Sequence, residues 1–90
     1  MPPSAKPAFA PGVRLAHNEA QGGWVLLAPE RVLKTDEISY QILKRCNGET
    51  SIASIVDELT IAFDAPRERI FADVSALFAQ LVQKRLVNIS

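Results

Sequence analysis

The chain holds few side chains that could do covalent or metal chemistry. His17 is its one histidine and Cys46 its one cysteine. A metal cluster needs several ligands at a recognisable spacing, and a catalytic cysteine needs a base beside it. Gly22-Gly23 lacks the glycine spacing, the lysine and the following helix of a phosphate-binding loop. We therefore expect no enzyme activity, no cofactor and no metal site, with His17 at the surface and Cys46 as buried apolar filler.

Size and charge narrow the choice of partners. The 90 residues suit one domain with one modest core, and the hydrophobic fraction of 48% is enough to build it. Ten basic and ten acidic residues cancel, whereas duplex nucleic acid and anionic membranes select a positive surplus. No apolar run reaches the roughly 18 residues of a membrane span, and a lone cysteine fits a reducing compartment. We expect a cytoplasmic protein with no nucleic acid and no membrane partner.

The first half of the chain predicts a small antiparallel sheet. Val13–His17 alternates apolar and polar side chains, and Trp24–Leu27 is rich in strand-forming types. Pro29 cannot donate to a ladder, so the second strand ends near it and Arg31–Lys34 makes a third. Because four of the six prolines precede residue 12, residues 1–12 are expected to be a flexible proline-rich arm and 13–90 the folded domain.

Three helices are predicted after the third strand. Side chains that can cap the first two precede them: Thr35 or Asp36, and Thr50 or Ser51. The predicted spans are Glu37–Cys46, Ile52–Phe63 and about Arg67–Arg85, with a terminal extended segment at 86–89. Three strands followed by three helices indicate the α+β class. We expect a winged helix-turn-helix-like domain, in which a three-stranded antiparallel sheet is followed by a three-helix bundle.

The third helix carries a wide apolar stripe. Its predicted core positions are Ile70, Val74, Leu77 and Leu81, and its border positions are Phe71, Phe78 and Val82. The third strand has no later strand to pair with, so one of its edges exposes unpaired N–H and C=O groups. An extended peptide could add there as a fourth strand and place alternate side chains against the helix.

Two sequence motifs resemble the PqqD family. These are the stretch from Trp24 to Glu30 (WVLLAPE) and the stretch from Ile42 to Gly48 (ILKRCNG). Further matching positions are Arg14-Leu15, Ile55-Val56, Asp73-Val74, Leu77 and Leu81. The similarity extends from Val13 to Ile89. One position departs from the pattern: Thr35 stands where the family usually has leucine, and we expect looser packing at the end of the third strand.

The resemblance implies a RiPP recognition element, a domain that binds a precursor peptide and brings it to a modifying enzyme. The peptide would be PqqA, and the chain would act as its peptide chaperone in pyrroloquinoline quinone biosynthesis. The enzyme would be PqqE, a radical S-adenosylmethionine enzyme that crosslinks a glutamate and a tyrosine of the peptide. Its iron–sulfur clusters and S-adenosylmethionine belong to that partner.

The predicted peptide site combines the third strand with the neighbouring side of the third helix. It consists of Arg31, Val32, Leu33, Lys34, Phe71, Val74, Phe78, Leu81 and Arg85. The strand would supply the backbone ladder, and the apolar helix positions would form the floor of a groove. Arg31, Lys34 and Arg85 could pair with acidic side chains of the peptide. The same open edge could pair with a second copy, so a homodimer is possible.

Two alternatives remain: a DNA-binding winged helix and a generic peptide-interaction module. The second helix, Ile52–Phe63, carries Asp57 and Glu58 and no lysine or arginine, so it would face phosphates badly.

We expect no mobility shift of duplex DNA at low salt, because the chain has no surplus of positive charge to release counterions. A shift that weakens steeply with added salt would favour the DNA-binding alternative instead.

Overall fold

The computed structural model describes residues 2–20 and 22–90, so Met1 of the expected arm and Gln21, between the first two predicted strands, lie outside it. Strands and helices follow in the order β1 (Pro7–Phe9), β2 (Arg14–Asn18), β3 (Gly23–Ala28), β4 (Arg31–Lys34), α1 (Glu37–Leu43), α2 (Ile52–Phe63), α3 (Arg67–Gln83) and β5 (Val87–Ile89). The predicted α+β fold with a three-stranded antiparallel sheet and three helices is confirmed.

The three-stranded sheet has the order β2-β3-β4, and both pairings are antiparallel. Leu15, Leu26 and Leu33 lie opposite one another across its strands. All three pack into the hydrophobic core, because alternate side chains of a strand point to the same face. In the order β2-β3-β4, β4 is an edge strand, and among the described residues it pairs with β3 alone.

Side-chain hydrogen bonds cap the N-termini of the first two helices. The Asp36 carboxylate accepts a hydrogen bond of 2.7 Å from the Ser39 N–H, and the Ser51 hydroxyl oxygen accepts one of 3.2 Å from the Ser54 N–H. Each satisfies a donor that the first helical turn leaves free. α1 ends at Leu43, three residues earlier than predicted, because the chain tightens there: the Cys46 N–H donates to the Leu43 carbonyl (3.0 Å).

The turn that follows α3 contains a residue in the left-handed conformation. Arg85 has φ 62°, the Leu86 N–H donates to the Leu81 carbonyl (2.9 Å) and the Arg85 N–H donates to that of Val82 (2.9 Å). This is the Schellman arrangement, in which glycine is the usual residue at the left-handed position. The helix stops at Gln83 for this reason, and the chain turns back into β5.

The N-terminal segment differs from the flexible arm that was expected. β1 pairs with β5, and Ala5 is buried. The Ile52 N–H donates to the Ala5 carbonyl (2.8 Å) and the Ala53 N–H to the Pro3 carbonyl (2.9 Å), so this segment satisfies donors at the start of α2. Proline removes a donor but keeps its carbonyl, and a proline-rich strand can therefore serve as an acceptor.

The core is built from all the helices and both sheets. Ile52, Ile55, Val56, Val74 and Phe78 have no exposed surface, and no polar or charged residue of the described chain is fully buried. None of the described helices has the length and apolar character needed to cross a bilayer.

Replacing Ala5 with aspartate should lower the free energy of unfolding by more than about 2 kcal/mol, because the carboxylate would be buried without a partner. Urea unfolding followed by circular dichroism measures this. Ser4→Asp is the matched control: Ser4 is exposed, and its replacement should change stability by less than about 0.5 kcal/mol. Equal effects of the two substitutions would show that the N-terminal segment does not belong to the fold in solution.

Candidate functional site

The open edge of β4 carries unpaired backbone groups at alternate residues. The Thr35 N–H, directly after β4, donates to the Trp24 carbonyl of β3 (3.1 Å). In an antiparallel pair the bonded residues alternate, so Leu33 and Arg31 also direct their backbone groups to β3. Val32 and Lys34 lie between them, and their N–H and C=O groups point away from the sheet. This edge can accept one further strand.

Thr35 holds the end of β4 in place. Its hydroxyl donates a second hydrogen bond to the Trp24 carbonyl, at 2.8 Å. The expected loosening of the strand end at this position is therefore not observed, because the hydroxyl replaces apolar packing with a bond to the neighbouring strand.

A cavity of about 200 Å³ lies beside this edge, between β4, the start of α1 and the C-terminal half of α3. We call it the β4–α3 groove. Its lining residues are Leu26, Leu33, Lys34, Thr35, Ser39, Leu43, Leu77, Gln80, Leu81 and Lys84. Five leucines form its apolar part, the other lining residues are polar or charged, and the two lysines are exposed.

The structure brings together part of the predicted site. Leu33, Lys34 and Leu81 line the β4–α3 groove, while Arg31 and Val32 lie along the open edge. Val32 exposes 60% of its surface. Arg85 is exposed but does not line the groove.

The other predicted helix residues lie elsewhere. Val74 and Phe78 have no exposed surface and belong to the core, so they support the groove from behind instead of forming its floor. Phe71 lies in the N-terminal half of α3, where it borders a separate depression with Arg67 and Glu68.

Leu77 and Phe78 have the opposite roles to those predicted from the sequence. Leu77, predicted as core, borders the groove, and Phe78, predicted as border, is buried. Adjacent helical residues point about 100° apart, so a small rotation of α3 decides between them. That rotation is set by α2 and β5, which both pack against α3. Seven lining residues were missed: Leu26, Thr35, Ser39, Leu43, Leu77, Gln80 and Lys84. The last three follow a spacing of three and four that marks one helix face.

Trp24 and Tyr40 hold α1 against the sheet. Their rings are stacked with centroids 4.5 Å apart, His17 meets the Trp24 ring at 5.1 Å, and the Lys44 ammonium lies 5.7 Å from the centre of the Tyr40 ring. Aromatic pairs in such arrangements add stability beyond their buried area. This cluster fixes α1, which supplies Ser39 and Leu43 to the groove.

The charged residues that line the groove are both lysines. The lining includes Lys34 and Lys84 but no carboxylate among the described residues. The two ion pairs that the structure describes, Arg45–Glu58 and Arg67–Asp57, involve neither lysine. The Ser39 backbone N–H lowers the pKa of Asp36, so this carboxylate remains charged and keeps capping α1.

Cys46 is not poised for chemistry. Desolvation in the core raises the pKa of its thiol from 9.0 to about 12, so the reactive thiolate is suppressed. Within residues 2–20 and 22–90, no group of three or more histidine, cysteine or acidic side chains is arranged to hold a metal ion.

Fold and site together define a class: a small winged helix-like α+β domain with an unfilled sheet edge beside an apolar groove. Residues 23–87 match the family model of coenzyme PQQ synthesis protein D (PqqD). A PqqA binding protein of Xanthomonas oryzae pv. oryzae is 47% identical over 85 residues, which cover 94% of this chain and 92% of that protein. The chain belongs to the PqqD family, and the resemblance found in its motifs is confirmed.

Two solved structures share this fold. One is the solution NMR structure of the PqqD truncation of Methylobacterium extorquens PqqCD, a functional, stand-alone RiPP recognition element. It has a TM-score of 0.79 and 34% identity, over 98% of this chain and 99% of that one. The other is the crystal structure of PqqD from Xanthomonas campestris, with a TM-score of 0.61 and 46% identity, over 88% of each chain.

The burial of Cys46 makes stability fall at high pH. Above about pH 9 the thiol ionises in the unfolded chain but stays protonated in the folded chain up to about pH 12. The free energy of unfolding should therefore decrease as pH rises through this window. From pH 8 to 10 the wild type should lose about 1 kcal/mol more than Cys46→Ala, as measured by urea unfolding. Parallel losses in the two proteins would contradict the assignment of a buried, protonated thiol.

Proposed function

We propose that this chain is a peptide chaperone of pyrroloquinoline quinone biosynthesis that binds the PqqA precursor by strand addition to β4. The observation that carries the proposal is the unfilled edge of β4 next to the β4–α3 groove. Support also comes from the X. oryzae relative, a PqqA binding protein, and from the M. extorquens domain, a RiPP recognition element.

The backbone groups of Val32 and Lys34 give the peptide its register. Each net hydrogen bond contributes about 0.5–1.5 kcal/mol and is independent of the peptide's side chains. Specificity comes from the side chains that the added strand directs into the groove, because successive residues of a strand point to opposite faces.

Apolar burial supplies most of the affinity. One large side chain moved from water into the groove contributes about 1.5–3 kcal/mol. Ordering a flexible peptide and losing its translational freedom oppose this gain. A micromolar dissociation constant corresponds to about 8.2 kcal/mol, so the ladder and the groove must act together to reach it.

Strand addition would also explain how the peptide reaches a modifying enzyme. Once bound, the peptide becomes the new edge strand, and its outer backbone groups stay open to a second protein. We propose that PqqE, the radical S-adenosylmethionine enzyme, receives the peptide in this form. The chain itself contributes no cofactor to that reaction.

The same edge would allow self-association. Two copies that pair through β4 would form an isologous homodimer, and this dimer would compete with the peptide for the ladder. We place the protein in the cytoplasm, where reducing conditions suit its lone buried thiol.

Replacing Val32 with proline tests strand addition directly. The substitution removes an N–H that faces the open edge and leaves the bonds between β3 and β4 intact, as proline on an edge strand permits. Binding of synthetic PqqA, measured by isothermal titration calorimetry, should weaken about threefold to tenfold.

Val32→Thr is the matched control, because it keeps both the N–H and the β-branched shape at this exposed position. It should bind within about twofold of the wild type. If proline and threonine variants bind equally well while both remain folded, the backbone ladder is not used and the proposed mode is wrong.

A further inference from the structure

We propose that the β4–α3 groove selects a peptide segment with one large apolar anchor residue and a carboxylate on the residue next to it. The inference rests on the proposed function and specifies which part of a peptide can occupy this site. It follows from three properties of the groove: its volume, the alternation of β4, and the two lysines at its rim.

The volume admits one large side chain. The cavity measures about 200 Å³, and an apolar cavity of about 150 Å³ already holds benzene. Leucines from β3, β4, α1 and α3 form its walls, so a leucine-sized or aromatic side chain fits their chemistry. Two such side chains exceed the space, and the segment should therefore depend on a single anchor.

The alternation of the strand places the neighbour of the anchor on the opposite face. Leu33 packs against the core and lines the groove, and the exposed Val32 and Lys34 alternate with it along β4. Lys34, the last residue of β4, also borders the rim of the groove. An added strand follows the same pleat, so the residue beside its anchor would lie next to Lys34. Cross-strand pairs of opposite charge are favourable at this separation.

Lys84 adds a second preference for a carboxylate, on the side of the bound peptide that faces the groove. It directly follows the last residue of α3, almost one helical turn after Leu81, and lines the rim together with Gln80. No carboxylate among the described lining residues offsets the charge of these lysines, so the rim attracts acidic side chains and disfavours basic ones. A second carboxylate two residues from the anchor would point to the same side as the anchor and could reach Lys84.

The test measures synthetic PqqA and its single variants against four proteins by fluorescence anisotropy. The proteins are the wild type, Lys34→Glu, Lys84→Glu and Arg69→Glu. Arg69→Glu is the matched control, because Arg69 is exposed on α3, lies outside the groove lining and changes the net charge equally. Peptide variants replace each large apolar residue with alanine and each acidic residue with lysine.

One apolar position should dominate, with a loss of about tenfold to a hundredfold on replacement by alanine. Lys34→Glu and Lys84→Glu should each weaken binding about fivefold to tenfold, and Arg69→Glu by less than about twofold. A charge swap should restore binding. The peptide with lysine at the acidic position next to the anchor should bind the Lys34→Glu protein more tightly than it binds the wild-type protein.

The two hypotheses fail in different ways. If no peptide binds the folded wild type, the proposed function itself is wrong. If the peptide binds but no apolar position dominates, or if Lys34→Glu and Lys84→Glu behave like Arg69→Glu, the anchor-and-carboxylate rule is overturned and strand addition stands. Thermal unfolding of each variant confirms that it remains folded.

Discussion

The backbone of β4 is satisfied on one side only, and the function proposed for this domain depends on that imbalance. Leu33 and Arg31 direct their backbone groups to β3, while Val32 and Lys34 direct theirs to an edge that the described chain leaves unpaired. An unpaired edge is usually a hazard, because it templates pairing with other chains. Here the edge is short, four residues, and it carries a charged side chain at each end. Those features limit uncontrolled pairing and still leave room for one extended ligand.

The remainder of the structure keeps a groove open next to that edge. α3 is held from behind by Val74 and Phe78, which are fully buried, and its Schellman turn leads into β5. β5 is in turn paired with β1, so the N-terminal segment stabilises the helix that forms the far wall. The Trp24–Tyr40 stack holds α1 at the near end. Each contact lies outside the groove, and the groove therefore exists without a ligand to hold it open.

Membership in the PqqD family and the geometry of the site both support peptide binding, but they rest on different grounds. The family relationship comes from similarity over nearly the whole chain. The geometry adds which backbone groups are available and which side chains surround the space beside them. It also adds the charge of the lining, which holds Lys34 and Lys84 without a carboxylate among the described residues.

Most of the secondary structure could be predicted from local signals. Strand alternation, the Asp36 and Ser51 caps, and the proline after β3 place their elements within one to three residues of the observed bounds. These signals work because each depends on residues that are close in the chain. The N-terminal segment was mispredicted for the opposite reason: its partners, β5 and the start of α2, are more than 40 residues away in the chain.

The amino-acid sequence by itself determined that residues 31–34 would form a strand and that α3 would carry a wide apolar stripe, since pleat and helical period are local properties. Whether a strand lies at an edge depends on its partners: β5 pairs with β1, and β4 pairs with β3 alone among the described residues. Only the tertiary structure decided that Leu77 and Lys84 border the groove while Phe78 is buried. Adjacent helical residues differ by about 100° in direction, and the stripe on α3 is too wide to select one orientation. α2 and β5 make that selection by packing against the helix, and their contacts are not visible in the order of residues along α3.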